Sequence, residues 1–187
     1  MKIMGVLLAA GLSTRFGSAD KLKTPLHGFP LGLHAAQSLR SLPLAHRFVV
    51  ARSTGLDWPG FSVIENDRPE EGISRSIALG VAAARLAGAD AVLIALADMP
   101  FVPSDHFRRL LACYHGPTTL AASSGGCRRS PPALFGADWL PTLEQLSGDE
   151  GARALLASAE IVITEPSNLR DIDRPEDLSA IRTPKPR

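Results

Sequence analysis

The sequence predicts a single α/β domain, Rossmann-like and doubly wound about a mostly parallel central sheet. Three observations carry this. Two continuous apolar runs, Ile3–Ala10 and Ala91–Ala97, each have the length of one fully buried strand. Each run empties directly into a polar segment, Gly11–Lys21 after the first and Asp98–Pro100 after the second. The rest of the chain alternates short apolar runs with stretches of helical period, the pattern of repeated βαβ units. In such sheets ligands sit outside the carboxyl ends of the strands.

Length and composition bound the function. A chain of 187 residues accommodates one domain with a substantial core, expected over residues 1–182, with 183–187 as a frayed tail. The net charge of +1 implies no large basic surface, which argues against a nucleic-acid partner. Cys113 and Cys127 form neither a C-x-x-C pair nor a disulfide framework, so a reducing cytoplasm is expected. Met1-Lys2 and the apolar residues after it resemble a short signal peptide. Gly5 and Gly11 interrupt that run, no clear cleavage site follows, and it is too short to span a bilayer. The expectation is therefore a retained first strand and no membrane association.

The elements follow in order. Lys23, Pro25, His27, Gly28 and Pro30 mark irregular structure. Leu31–Leu42 has helical spacing, with Leu31, Ala35, Leu39 and Leu42 on one face. Arg47–Arg52 and Phe61–Ile64 read as short strands. Ile73, Ile77, Val81 and Ala84 lie at helical spacing, and Ser104–Tyr114 reads as a helix capped by Ser104. Thr118–Ala122 reads as a strand and the stretch from Ser123 to Ser130 as a loop. Trp139–Leu146 and Ala152–Ala159 read as helices flanking a turn, Ile161–Thr164 as a strand, and Pro175 opens a last helix, Glu176–Ile181.

Three places carry candidate chemistry. In the loop after the first strand, Gly11 and Gly17 permit positive φ and close approach of backbone N–H groups to phosphate. Arg15 and Lys21 add charge for a polyphosphate and read as exposed loop cations. The loop is not a Walker A motif, because Gly11 to Gly17 is one residue too long and Ser18 follows; G-x-G-x-x-G is absent as well. By spacing alone, a solvated turn with two ordinary cations fits as well as a phosphate site. Gly72, Ser74 and Ser76 put small polar groups at a helix start, where simple N-capping is the leading reading. Asp98, just past the second buried strand, is placed as a hard oxygen ligand for Mg²⁺ or as a turn-forming Asp before Pro100.

Resemblance sharpens these readings. Leu8-Ala9-Ala10-Gly11 through Lys21-Leu22 resembles the L-A-A-G-x-S-x-R-[MF]-G-x-x-K-L signature of the MobA-like nucleotidyltransferases, with one extra residue before Lys21. L-A-D-M-P at Leu96–Pro100 resembles that superfamily's metal motif, with Ala97 in place of the usual Gly. Gly72, Ser74, Ser76, Ile77 and Gly80 resemble its base- and ribose-contacting segment, in a form closer to the cytidylyltransferase branch. D-I-D-R-P-E-D-L at Asp171–Leu178 resembles its closing motif.

The resemblance implies a fold of the nucleotide-diphospho-sugar transferase type. It implies Arg15, Lys21 and Asp98 as catalytic residues. Leu8, Ala9, Ala10, Gly11, Arg15, Lys21, Gly72, Ser74, Ser76 and Asp98 would bind nucleotide. Asp98 and Asp173 would hold Mg²⁺, with Asp171 the rival to Asp173 because alternation puts both on one side. The implied reaction transfers NMP from an NTP, CTP by preference, to a phosphorylated acceptor of the molybdopterin type, for delivery to a molybdoenzyme or its chaperone. Guanylyl transfer and another phosphorylated acceptor are the alternatives within that chemistry; a non-catalytic cofactor-binding chaperone is the alternative outside it. Arg128 and Arg129 either steer an anionic acceptor or are solvated, since relatives carry Gly and His where Ser130 and Pro131 stand.

Overall fold

The computed structural model describes residues 1–16, 20–52, 56–149 and 151–182. In chain order the elements are β1 (Ile3–Ala9), a small hairpin of β2 (Pro25–Leu26) and β3 (Phe29–Pro30), α1 (Leu31–Arg40), β4 (His46–Ala51), β5 (Ser62–Glu65), α2 (Ile73–Leu86), β6 (Ala91–Leu96), α3 (Ser104–Ala112), β7 (Leu120–Ser124), β8 (Arg129–Gly136), α4 (Leu140–Glu144), α5 (Arg153–Leu156), β9 (Glu160–Ile163) and α6 (Pro175–Arg182). Gly17, Glu150 and the tail 183–187 lie outside the described residues, so the readings made for them do too.

Seven strands form one sheet in the order β5-β4-β1-β6-β8-β7-β9. Every neighbouring pair is parallel except those made by β8, which runs against both β6 and β7. Alternation along β1 feeds two apolar layers. Ile3, Leu7 and Ala9 pack with α1 and α3 on one face. Met4, Val6 and Leu8 pack with α2, α4 and α5 on the other. Helices on both faces explain why the central strands read as unbroken apolar runs. Gly80 lets α2 lie close on the sheet: a Cβ there would overlap Val6 and stand 3.0 Å from Val50.

Several local expectations are corrected. The loop expected over Ser123–Ser130 is shorter, because β7 runs through Ser124 and β8 begins at Arg129, and β8 continues through Pro131 and Pro132 although they donate no backbone hydrogen bond. The sheet accommodates them by a register shift against β7 between Ala122 and Ser123, while the pairing with β6 uses only Ala133–Gly136. The stretch 25–30 is a two-stranded hairpin rather than irregular. Ser104 does not cap α3. Pro103 holds that position, and the Ser104 hydroxyl lies 2.9 Å from that of Ser41 on the neighbouring α1 side. The helix expected over Ala152–Ala159 is one short element, Arg153–Leu156. Residues 171–173 are not a strand. They are docked instead by Ile172, which is fully buried and donates its N–H to the Asp98 carbonyl at 3.0 Å.

Candidate active site

The carboxyl ends of β1 and β6 are stitched together, since the Ala97 N–H donates to the Leu8 carbonyl at 3.0 Å. This carries Asp98 to the mouth of the loop that leaves β1. The Ile172–Asp98 backbone bond then lays residues 171–173 against the same spot. Asp177, in the first turn of α6, accepts from the amides of Asp173 and Arg174 at 3.0 and 2.9 Å. The Arg174 amide foremost holds the Asp177 carboxyl below its ordinary pKa. Asp177 therefore fixes the backbone from which Asp173 projects, a role not anticipated for it; its place early in a helix opened by Pro175 was the available signal.

At this junction four predicted residues meet. The Lys21 ammonium donates to Asp98 Oδ2 at 2.9 Å and to Asp173 Oδ1 at 3.2 Å. Arg15 Nη1 donates to the other oxygen of Asp173 at 3.1 Å. Lys21 is 7% exposed, not an exposed loop cation. Burial works to lower its pKa, but the charges and hydrogen bonds of Asp98 and Asp173 outweigh it and the net shift is upward. Asp171 makes no side-chain contact with Lys21 at hydrogen-bond distance, yet it shares the field. Desolvation foremost, then the charges of Asp173 and Asp98, push its carboxyl above the usual range. Asp98 Oδ1 is buried with no hydrogen-bond partner among the described residues.

Gly11 does not use the left-handed region. Ser13 does, with φ of 55°. Among the described residues a Cβ added at Gly11 would meet nothing within 4 Å, so they leave the space beside the end of β1 open. Gly72, Ser74 and Ser76 lie apart from the carboxylate cluster, at the start of α2. Gly72 has φ of 89° and a Cβ there would overlap Asp149. The Ser74 amide donates to the Gly148 carbonyl at 3.2 Å, while its buried hydroxyl has no partner among the described residues. The Ser76 hydroxyl accepts from the Asn66 side chain at 3.0 Å. No side chain caps α2. The turn around Gly148 lies over the start of the helix instead.

Between the start of α2 and β8 lies a cavity of about 620 Å³, a size usual for small-molecule sites. Leu8, Ile77, Ile94 and Phe135 line it, and Arg128 and Arg153 stand at its edge. It does not include Lys21, Asp98 or Asp173, so the apolar cavity and the charged junction are neighbours rather than one pocket. Arg129 lines it too, but its Nε donates to the Ala159 carbonyl at 2.9 Å. Arg153 escaped the sequence reading because nothing in its local pattern separates it from a solvated helix cation.

A doubly wound α/β sheet with cations and carboxylates gathered where its central strands end is the build of a nucleotide-handling transferase. Residues 5–163 match the MobA-like NTP transferase domain, and the chain belongs to that family. Over 96% of both chains it is 35% identical to the purine catabolism protein PucB of Bacillus subtilis (strain 168). It is 31% identical to a molybdenum cofactor guanylyltransferase of Cereibacter sphaeroides, covering 96% of this chain and 95% of that one. A nucleotidyl transferase from Methanothermobacter thermautotroptrophicus shares the fold, with a TM-score of 0.79 at 23% identity over 97% and 96% of the two chains. No helix among the described residues is long and apolar enough to cross a membrane.

Proposed function

We propose that this protein transfers a nucleotidyl group from an NTP to a phosphorylated acceptor of the molybdopterin type, releasing pyrophosphate. The observation that carries this reading is the Lys21 ammonium held between Asp98 and Asp173 beside the open space at Gly11. A phosphate oxygen of the acceptor attacks the α-phosphorus, and the bond to the β-phosphate breaks as pyrophosphate leaves. No covalent enzyme intermediate is required; the chain positions the reactants and neutralises charge. Lys21 spends two of its three N–H donors on carboxylates, leaving one for a phosphate oxygen. Arg15, with its guanidinium anchored through one nitrogen, offers the others to the leaving pyrophosphate.

Mg²⁺ fits the residues present. No group of three or more His, Cys, Asp or Glu side chains set for a metal occurs among the described residues, but Mg²⁺ needs only one or two carboxylates besides phosphate and water. The unpartnered, buried Asp98 Oδ1 supports such a ligand. Asp98 and Asp173 would hold the ion, which would draw negative charge from the phosphates when bound.

The apolar cavity supports the acceptor's ring system. Arg128 and Arg153, both exposed and without a hydrogen-bond or ion-pair partner among the described residues, suit its phosphate. For the base we propose CTP, on the form of the Gly72–Ser76 segment. The Cereibacter relatives named as guanylyltransferases support GTP as the second reading. The product would be delivered to a cytoplasmic molybdoenzyme or its chaperone, and the Bacillus relative's name supports a destination in purine breakdown. Pyrophosphate release from each NTP, with and without molybdopterin, tests the proposal. Acceptor-dependent release with CTP is expected; a preference for GTP transfers the base assignment to the second reading. Acceptor binding with no release from any NTP points to a non-catalytic carrier.

A further inference from the structure

Asp20 and Arg52 lie just outside the charged junction, and neither belongs to it. Asp20 precedes Lys21 and caps the 3-10 turn Lys21–Lys23. Its Oδ1 accepts the Leu22 amide at 3.1 Å and its carbonyl accepts the Lys23 amide at 3.1 Å. Lys21 therefore sits on a turn whose entry is set by the Asp20 carboxylate. Arg52 follows the last residue of β4, which pairs with β1 at Ala51 and Ala9, so it stands at the carboxyl end of the strand beside β1. Its Nη2 is 3.9 Å from Asp20 Oδ1. Two further atoms complete the picture: Asp20 Oδ2 and Arg52 Nε are both buried and have no hydrogen-bond partner among the described residues.

Orphaned buried polar atoms are costly, and here a donor and an acceptor are orphaned on the two members of one ion pair. The Nε–Nη2 edge of a guanidinium matches the two oxygens of a carboxylate. A closure of about 1 Å, from 3.9 Å to the length of a charge-assisted hydrogen bond, would satisfy both orphans in one two-point contact.

We propose that Asp20 and Arg52 form a positioning pair for Lys21. Arg52 pins the Asp20 carboxylate, the carboxylate holds the turn, and the turn aims the ammonium between Asp98 and Asp173. The inference rests on Lys21 serving nucleotidyl transfer, and it assigns Arg52 no contact with the reacting atoms.

The test has two arms. In the full chain, Arg52→Ala and Asp20→Asn should each lower kcat by about tenfold with little change in the KM for NTP. Asn still accepts the Leu22 amide but gives up the charge that pairs with Arg52, so the two variants should match. Arg52→Lys should not rescue, because an ammonium lacks the fork. In a Lys21→Ala background neither substitution should cost more, as expected of residues acting through Lys21. A full additional tenfold loss in that background overturns the proposal. The second arm is independent of turnover: hydrogen exchange of the backbone amides at 22–24 should speed up in Arg52→Ala while exchange in β4 stays as it was. Unchanged exchange at 22–24 overturns the pair as a clamp. If the unsubstituted protein releases no pyrophosphate from any NTP, the transferase reading fails, and the exchange arm still decides the clamp.

Discussion

Lys21 donates to Asp98 across 77 positions of sequence, and the same ammonium reaches Asp173 across 152. One side chain thus ties the loop after β1, the end of β6 and the segment before α6 into a single charged junction. Its two partners are unequal. Asp98 is the more enclosed, and Asp173 is also shared with Arg15.

The first prediction separates Lys21 from Arg15. Lys21→Ala and Arg15→Ala should each lower kcat/KM by about 10²-fold or more, from lost charge-assisted contacts. Their effects on folding should differ. The Arg15 side chain is 66% exposed, and its loss should leave stability almost unchanged. Lys21→Ala strips the buried counter-charge from Asp98 and should cost about 1–3 kcal/mol. Urea titration of the two variants measures the difference; equal stabilities would mean that the junction is fully solvated.

The carboxylates come next. Asp98→Asn keeps the shape and removes the charge, so most turnover should vanish while NTP binding survives through Arg15, Lys21 and the backbone. Asp173→Asn should keep partial activity, because the Asp98 contact to Lys21 persists. Calorimetric NTP binding, read beside pyrophosphate release, checks both. Loss of binding in parallel with turnover in Asp98→Asn would show that the charge serves affinity instead.

Two glycines should respond oppositely. Gly80→Ala drives a Cβ into Val6 and close to Val50, and overpacking of this kind costs about 1–3 kcal/mol. Gly11→Ala meets nothing among the described residues, so the melting temperature should hold while NTP affinity falls. A Gly11→Ala variant with normal affinity would mean that the open space beside β1 is not where the nucleotide lies.

A pH prediction concerns His106, which is fully buried. Ser123 gives its hydroxyl proton to the Pro132 carbonyl at 2.7 Å, so His106 Nε2 must donate to Ser123 Oγ, also at 2.7 Å. Arg109 then donates to Nδ1 at 3.1 Å. The ring is held neutral, and burial, followed by the Arg109 charge, lowers its pKa from 6.5 to about 4. Because the folded value is depressed, the unfolded chain takes up the proton first. The stabilisation is complete above pH 6.5 and is lost as pH falls, reaching about 3 kcal/mol by pH 4. Denaturant titrations from pH 7 to 4 should show this slope, and His106→Gln should flatten it. An equal slope in both proteins would assign the acid sensitivity to carboxylates alone.

By itself the sequence determined what depends on local pattern. Apolar runs of strand length at Ile3–Ala10 and Ala91–Ala97 had only one way to be buried on both sides, and the helices over Ile73–Leu86 and Leu31–Arg40 follow from their periodicity. The motif around Gly11 and Lys21 marked the loop at which the charged junction gathers. What pattern could not decide was partnership. The strand through Pro131-Pro132 forms because β6 and β7 offer it two ladders, which outweigh two residues that donate no hydrogen bond. Lys21 is buried, against the usual fate of a loop lysine, because Asp98 and Asp173 arrive from distant segments to compensate its desolvation. Asp173, rather than Asp171, meets that ammonium because Ile172 enters the core and Asp177 holds the following turn. Those contacts are long-range, and a charge has no partner until the chain has folded around it.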